Sequence, residues 1–274
     1  MLQCASTPVL ASELIFFNFM DIAYTLSGLL VGTLVGLTGV GGGSLMTPLL
    51  ILFGVPPVKA VGTDLLFASI TKAGGVWVHG RRGTIDWNIV GLLAAGSLPA
   101  SLLTLLLLNY IGTQGWHLDA LIIPLIGVAV ILTALALVFK TQLQRHTWFK
   151  HGLQGRKLTV AAVTTGVVLG ALVTLTSIGA GAIGVVVLFL LYPLLPTVRI
   201  VGSDIAHAVP LTLVAGLGHL QMGNVDFVLL GSLLLGSLPG IYIGSHMSVK
   251  VPETILRGAL ASMLMLIGIK FIAH

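Results

Sequence analysis

Apolar residues fall into ten stretches along the chain, separated by short polar or glycine-rich breaks. Most of the stretches are close to 20 residues long, which is enough to cross the hydrocarbon core of a bilayer. They lie near 22–40, 44–54, 58–79, 86–109, 119–139, 158–176, 182–194, 197–219, 225–245 and 253–273. This pattern predicts an all-α polytopic membrane protein with eight to ten transmembrane segments.

Two of the stretches, 44–54 and 182–194, are too short to cross a bilayer alone, and each follows a glycine-rich break. Backbone without helical hydrogen bonds is tolerated at membrane depth only where it is buried in protein or lines a wet cavity. The breaks at 39–43 and 179–181 therefore predict helical hairpin tips or interrupted helices, and the pattern leaves open whether the short segments span or re-enter. The alternative is that these glycines only allow close helix packing.

The composition agrees with a membrane location, because only 8% of the residues are charged, against roughly 25% in a soluble domain. The net charge of +5 comes without a basic patch containing aromatic residues, so it does not indicate nucleic-acid binding. The single cysteine, Cys4, rules out an intrachain disulfide framework. The sequence has no phosphate-binding loop, clustered metal ligands or nucleophile elbow, and we expect neither an enzyme nor a bound metal or cofactor.

The chain contains an internal duplication, because four motifs of the first half recur in the second half at one constant offset. The matched pairs are Gly62-Thr63-Asp64 with Gly202-Ser203-Asp204, His79 with His219, Gly83-Thr84-Ile85-Asp86 with Gly223-Asn224-Val225-Asp226, and Gly96-Ser97-Leu98-Pro99 with Gly236-Ser237-Leu238-Pro239. We divide the chain into an N-terminal transmembrane repeat (1–139), a basic linker (140–157) and a C-terminal transmembrane repeat (158–274).

The basic residues predict opposite orientations for the two repeats. The linker is strongly basic, which places it on the cytoplasmic side. Counting crossings from the linker puts the 80–85 loop, with Arg81 and Arg82, inside and the 220–224 loop, without Lys or Arg, outside. Opposite charge bias at matching loops is typical of inverted repeats, here of about five helical segments each. Both termini then lie outside, and so does Lys59.

Ionisable residues inside apolar segments are costly and usually functional. Lys72 lies near the middle of segment 58–79, with Asp64 two turns before it and His79 two turns after it, so the three can share one helix face. The matching segment of the second repeat carries Asp204, His207 and His219, with Thr212 at the position of Lys72.

These residues predict a path for an anion. Lys72 supplies positive charge at depth, while the break backbone and the N-termini of the two short helices supply N–H donors. Asp64, Asp204 and His207 are the candidates for proton uptake and release. The candidate substrate-binding residues are Lys72, Thr38, Gly39, Gly41, Gly43, Ser44, Thr176, Ser177, Gly179 and Gly181.

Structural roles compete with the functional ones. Asp64 and Asp204 can instead cap helices that begin near Pro57 and Pro196, and Lys72 can instead extend to a headgroup. The matched histidines, His79 and His219, lie at helix exits and can bond a carbonyl there or act in gating. The matched prolines, Pro99 and Pro239, kink their helices, as hinges or as packing features, and Asp86 and Asp226 are predicted to cap the helices that follow them.

Several of these runs together resemble a known family. They are Gly36-Leu37-Thr38-Gly39-Val40-Gly41-Gly42-Gly43 with Pro48, Gly62-Thr63-Asp64 followed by His79, Arg81-Arg82-Gly83-Thr84-Ile85-Asp86-Trp87, and Gly96-Ser97-Leu98-Pro99. The chain is similar, from about residue 22 to its end, to the sulfite exporter TauE/SafE family, also called the toluenesulfonate uptake permease family. The resemblance implies a secondary transporter of sulfite, organosulfonates or related small anions in a bacterial or archaeal inner membrane.

The sequence therefore predicts a plasma-membrane anion transporter whose partners are the lipid bilayer and a small anionic substrate. The alternatives are an uncoupled anion channel or uniporter of the same fold, and a membrane subunit that moves no solute. The sequence provides no basis for choosing the anion, the direction of flux, the coupling ion or the oligomeric state.

Overall fold

The computed structural model describes residues 7–38, 43–113, 118–145, 153–247 and 253–273, with the backbone alone for 7–21 and at several helix ends. This part of the chain forms ten α-helices and contains no strand. The helices are α1 (Thr7–Thr38), α2 (Gly43–Leu52), α3 (Pro57–Arg81), α4 (Trp87–Thr113), α5 (Leu118–Arg145), α6 (Gly155–Thr176), α7 (Ala182–Leu191), α8 (Thr197–Gln221), α9 (Phe227–Met247) and α10 (Glu253–Ala273).

Six helices of the described part are long and apolar enough to cross a membrane, namely α4, α5, α6, α8, α9 and α10. Helix α3 has a comparable length of 25 residues but carries several charges, including Asp64 and Lys72. Helices α2 and α7 have 10 residues each, or about 15 Å at the rise of an α-helix, and cannot cross a bilayer alone. The predicted all-α polytopic membrane fold is confirmed.

The two repeats pack against each other rather than as separate bodies. The main helix pairs are α1 with α9, α4 with α6, α3 with α8 and α5 with α10, and each pair joins one helix from either repeat. The largest hydrophobic cluster likewise draws on both repeats, from Val31 of α1 to Phe271 of α10.

Corresponding helices of the two repeats run antiparallel. Gly62, near the start of α3, contacts His219 near the end of α8, and His79, near the end of α3, contacts Gly202 near the start of α8. Helices α5 and α10 cross in the same antiparallel sense. A twofold relation perpendicular to the helices produces this arrangement, so the predicted inverted repeats are confirmed.

Glycines allow the parallel pairs α1–α9 and α4–α6 to approach until backbones touch. A Cβ atom on Gly96 would collide with the carbonyl of Val163, and one on the matching Gly236 would collide with the carbonyl of Thr25. Small residues give this close approach in membrane helix pairs, where dispersion contacts rather than water exclusion hold the helices together.

We expect Gly236→Ala to lower the thermal stability of the purified protein, because the added methyl forces α1 and α9 apart. Overpacking of this kind costs roughly 1–3 kcal/mol. Gly231 lies on the same helix, where an added methyl would meet only open space, so Gly231→Ala is the matched control and should leave the melting temperature unchanged or raise it. Equal melting temperatures for the two variants would contradict this account of the α1–α9 contact.

Hydroxyl and carboxylate side chains begin α4 and α9 in the same way. The Ser203 hydroxyl accepts the N–H of Asp86 at 2.8 Å, and the Thr63 hydroxyl accepts the N–H of Asp226 at 3.1 Å. The Asp86 carboxylate accepts two further N–H groups of α4, and the Asp226 carboxylate two of α9. The predicted capping role of Asp86 and Asp226 is confirmed, and each cap is completed by a hydroxyl from the other repeat.

Candidate functional site

Four ionisable side chains are buried in the centre of the molecule, on the two antiparallel helices α3 and α8. Lys72 is 8% exposed, Asp204 is 1% exposed, and Asp64 and His207 are fully buried. Asp64 and Asp204 do not cap their own helices. The first turn of α3 is instead bonded by the Asp119 carboxylate, which accepts the Val58 N–H at 3.1 Å, and α8 begins after Pro196 without a capping bond from that residue. Their burial therefore needs another explanation.

The break between α6 and α7 reaches into this centre. Helix α6 ends at Thr176, and the chain turns through Ser177, Gly179 and Gly181, whose φ angles are 59°, 125° and 128°. Angles this positive strongly favour glycine. The Thr176 hydroxyl accepts the N–H of Ile178 at 3.1 Å and so stabilises the turn.

Helix α7 then runs back beside the first turns of α8. The break between α6 and α7 is therefore the buried tip of a helical hairpin. Gly184, in the first turn of α7, contacts the carboxylate of Asp204, and a short loop leads from the end of α7 to the start of α8. Ile178 and Ala180 of the tip are 0% and 7% exposed. The predicted break after Thr176 thus places backbone groups beside ionisable side chains at depth.

Lys72 connects the two repeats at this tip. Its ammonium donates a hydrogen bond to the carbonyl oxygen of Ala180 at 3.0 Å, and it is near enough to the carboxylates of Asp64 and Asp204 to be attracted by both. The side chain therefore points into the protein and not toward a headgroup. At the corresponding position of α8, the Thr212 hydroxyl donates to the carbonyl of Ala208 within its own helix.

The two carboxylates differ in their hydrogen bonds. One oxygen of Asp64 accepts the Thr47 hydroxyl of α2 at 2.6 Å, and the Ser177 hydroxyl lies beside this carboxylate without a hydrogen bond to it. Neither oxygen of Asp204 has a hydrogen-bond partner among the described residues. Asp204 instead packs on Gly184 at the N-terminal turn of α7, where the helix dipole favours negative charge.

The histidines occupy three different environments. His207 shares a hydrogen bond of 2.8 Å between its Nε2 and the Ser97 hydroxyl of α4. His219 is fully buried and donates from Nε2 to the carbonyl of Thr174 at 3.0 Å. His79 is half-buried and bonds the Thr84 hydroxyl through Nδ1 at 2.8 Å. The matched histidines of the two repeats thus differ in burial and in bonding.

Five of the predicted substrate-binding residues lie at or beside the glycine-rich break of the first repeat, at 39–43. Gly39 and Gly41 lie outside the described residues, and for Thr38, Gly43 and Ser44 the structure describes only the helical backbone. Pro99 and Pro239 lie inside α4 and α9.

The sequence analysis did not single out Thr47 and Ser97, which bond Asp64 and His207. A hydroxyl residue in an apolar helix commonly bonds a carbonyl of its own helix, so its type and spacing carry little signal. Of the two, only Ser97 carried a signal in the sequence, because it belongs to the duplicated run Gly96-Ser97-Leu98-Pro99.

The charge balance of the centre limits its chemistry. One ammonium faces two carboxylates, so the cluster carries one excess negative charge when all three groups are ionised, and burying an unpaired charge is costly. Binding of one proton, or of one other cation, balances the cluster. No group of three or more side chains suited to a transition metal occurs among the described residues.

Comparisons with known proteins agree with this architecture. The sequence model of the family described as "Sulfite exporter TauE/SafE" matches residues 24–271. The chain is 39% identical over 257 residues to "Probable membrane transporter protein YjnA" of Bacillus subtilis, covering 92% of this chain and 100% of that protein. It is 28% identical over 238 residues to "Probable membrane transporter protein YdhB" of the same organism, covering 84% and 91%.

An archaeal protein is also similar. The chain is 27% identical over 261 residues to "Probable membrane transporter protein MJ0441" of Methanocaldococcus jannaschii, covering 88% of this chain and 91% of that protein. No solved structure matches the chain significantly. The chain belongs to the sulfite exporter TauE/SafE family, and it is a multi-pass membrane transporter rather than an enzyme.

Proposed function

We propose that the protein is a proton-coupled secondary transporter of small sulfur-containing anions, with sulfite and organosulfonates as the favoured substrates. The observation that carries this proposal is the buried ammonium of Lys72, bonded to the hairpin tip of the opposite repeat at 3.0 Å. A cation at this depth, beside backbone groups released from helical bonding, suits a small oxyanion.

Proton coupling follows from the competition for Lys72. An arriving anion must compete with the Ala180 carbonyl for the ammonium, and two ionised carboxylates near Lys72 would repel it. Protonation of Asp204 or Asp64 removes one negative charge and leaves Lys72 available. Substrate and proton therefore bind together, and His207, which lies near Lys72, is a further candidate for proton transfer.

The burial of the site supports alternating access. Lys72, Asp64, Asp204 and His207 are closed to solvent in this conformation, so substrate can enter only after helices move. Inverted repeats provide two related ways of opening around one central site. We place the moving elements at the hairpin tips, with Pro99 and Pro239 as bends and His79 and His219 as contacts at the two exits.

The direction of the helices supports a cytoplasmic linker. Helix α4 runs parallel to α6, so the ends of the 80–85 loop and of the linker lie on the same side of the molecule. That side carries Arg81, Arg82, Arg156, Lys157 and Arg199, whereas Lys59 lies at the opposite end. By the positive-inside rule the basic side faces the cytoplasm of a bacterial or archaeal inner membrane.

The proposal is tested by measuring sulfite and methanesulfonate flux into proteoliposomes, with and without an imposed pH gradient. We expect saturable flux that rises with a gradient directed inward. Saturable flux that ignores the gradient would point to a uniporter, and non-saturable flux would point to a channel. The absence of flux for every sulfur anion would reject this substrate class.

A further inference from the structure

Five buried polar side chains lie between the central site and the end of α8 that leads into the 220–224 loop. They are Ser97 and Ser101 of α4, Thr174 of α6, and His207 and His219 of α8, and each is fully buried. We call these five residues the polar track. Since α4, α6 and α8 are parallel here, the track follows the helix axes outward from Lys72.

Hydrogen bonds connect most of the polar track. His207 Nε2 bonds the Ser97 hydroxyl at 2.8 Å, the Thr174 and Ser101 hydroxyls share a hydrogen bond of 2.7 Å, and His219 Nε2 donates to the Thr174 carbonyl at 3.0 Å. Ser97 and Ser101 are one helical turn apart on the same face of α4. One bridging water can close a gap of that size. Another is needed between His219 and the Thr174 hydroxyl, because the Thr174 carbonyl that His219 bonds accepts a hydrogen bond but does not pass a proton on.

The inverted repeat shows that packing does not require three of the five track residues. At the corresponding places in the other repeat, Phe67 stands for His207, Ile241 for Ser101 and Gly36 for Thr174. The same helix contacts are therefore made there with side chains that cannot exchange protons. Only the positions of Ser97 and His219 keep the same residue type in the other repeat, as Ser237 and His79. The continuous run of polar side chains therefore belongs to one half of the molecule, which a purely structural role does not explain.

Unpartnered atoms lie at both ends of the polar track. His207 Nδ1 and His219 Nδ1 are buried without a hydrogen-bond partner in the described structure, as are both carboxylate oxygens of Asp204. Asp204 and His207 are three residues apart on α8 and so lie on one helix face. Buried polar atoms without hydrogen-bond partners are costly. A function that requires these side chains to accept and release protons would explain why the protein keeps them.

We propose that the polar track conducts protons between Asp204 and the membrane side that carries the 220–224 loop. A proton passes from the Ser97 hydroxyl to His207 Nε2 while that hydroxyl takes a replacement proton from the water that bridges it to Ser101. His207 then releases its Nδ1 proton through a second water to a carboxylate oxygen of Asp204, since these atoms are not bonded directly. No alkoxide is left, and no bond between heavy atoms changes. The Lys72 ammonium and Asp64 face the same centre from α3 and set the charge that the proton balances. The proposal rests on the proposed proton-coupled transport.

The outer end of the polar track lies beside a cavity. The outer ends of α4 and α8 are separated by a cavity of about 550 Å³, lined by leucines together with Asn109 and Gln221. Gly218, the neighbour of His219, also lines it. The amides of Asn109 and Gln221 give water in this cavity hydrogen-bond partners near the outer end of the track. His219 itself is fully buried and does not line the cavity.

The test compares two modes of transport in proteoliposomes with radiolabelled sulfite as the probe. Net uptake driven by a pH gradient requires protons to bind and leave, whereas sulfite–sulfite exchange at equal pH lets the bound proton stay. For the double variant Ser97→Ala with Ser101→Ala we expect net uptake to fall about tenfold or more and exchange to stay close to wild type.

Ser237→Ala is the matched control, because Ser237 holds the position of Ser97 in the other repeat and is equally buried. It should leave both modes near wild type. Equal loss of net uptake and exchange in the double variant, or unchanged net uptake, would contradict proton conduction along the polar track. A wild-type protein that exchanges sulfite without responding to a pH gradient would overturn the proposed coupling itself, and the track with it.

Discussion

Lys72→Met is expected to abolish anion transport while the protein remains folded in the membrane. The substitution keeps most of the side-chain volume but removes the ammonium that bonds the Ala180 carbonyl and faces both buried carboxylates. A hydrogen bond to a charged group contributes up to about 3 kcal/mol, so without the ammonium as a partner for the anion the initial rate of sulfite uptake should fall by about 100-fold. The measurement is initial-rate uptake in proteoliposomes at matched protein density.

Two further variants separate transport from folding. Lys59→Met removes an exposed lysine from the same helix and should transport at the wild-type rate. If Lys72→Met alone is unstable because its carboxylates are left unbalanced, the pair Lys72→Met with Asp204→Asn should restore a monodisperse protein without restoring uptake. Transport at the wild-type rate by either Lys72 variant would remove the ammonium from the mechanism.

The repeat architecture could be predicted from the sequence because it leaves signals at constant spacing within one chain. The pairs Thr63-Asp64 and Ser203-Asp204 predicted matching helices, and the structure shows them related by an antiparallel crossing of α3 and α8. The loop charges predicted opposite orientations for the two repeats, because the distribution of basic residues among loops follows membrane orientation and does not depend on how the helices pack. The interlocking of the repeats was not predictable, since it depends on contacts between residues far apart in sequence.

The sequence identified the ionisable residues that are buried at the centre, but not the contacts that connect them. Burial cost identifies Lys72, Asp64 and Asp204 from sequence, since each stands out in an apolar segment. The bond from Lys72 to Ala180 depends on the φ angles of Gly179 and Gly181, which no local pattern fixes. The sequence therefore indicated a buried charge in the first repeat and a backbone break in the second. It did not indicate that the Lys72 ammonium bonds the backbone of that break.

The proposed roles of Asp64 and Asp204 were left open by the sequence for a physical reason. A Ser/Thr–Asp pair soon after a proline is also typical of a helix N-terminus, and pattern alone cannot separate the two. In the structure the hydroxyl and the carboxylate have separate roles. Thr63 and Ser203 complete caps in the opposite repeat, while the Asp64 carboxylate accepts the Thr47 hydroxyl and the Asp204 carboxylate packs on Gly184. That division is visible only once the helices are packed.

Asp204→Asn is expected to separate anion movement from the pH gradient. The amide keeps the shape of the carboxylate but has no proton to take up or release, and it removes the negative charge that competes with substrate for Lys72. We expect sulfite exchange at equal pH to persist and the stimulation of uptake by an inward proton gradient to disappear. The measurement is the ratio of uptake rates with and without the gradient.

Asp64→Asn should reduce this ratio less, because one oxygen of Asp64 is held by the Thr47 hydroxyl at 2.6 Å, whereas neither oxygen of Asp204 has a partner in the described structure. Asp119→Asn changes an exposed carboxylate on α5 that accepts the Val58 N–H at the start of α3. The amide oxygen can still accept this bond, so the variant serves as the control, with an unchanged ratio. If Asp204→Asn kept the full response to the gradient and changed only the melting temperature, Asp204 would be a packing residue. The excess negative charge beside Lys72 would then have to be balanced by protonation of Asp64. In that case Asp64→Asn would reduce the ratio of uptake rates more than Asp204→Asn.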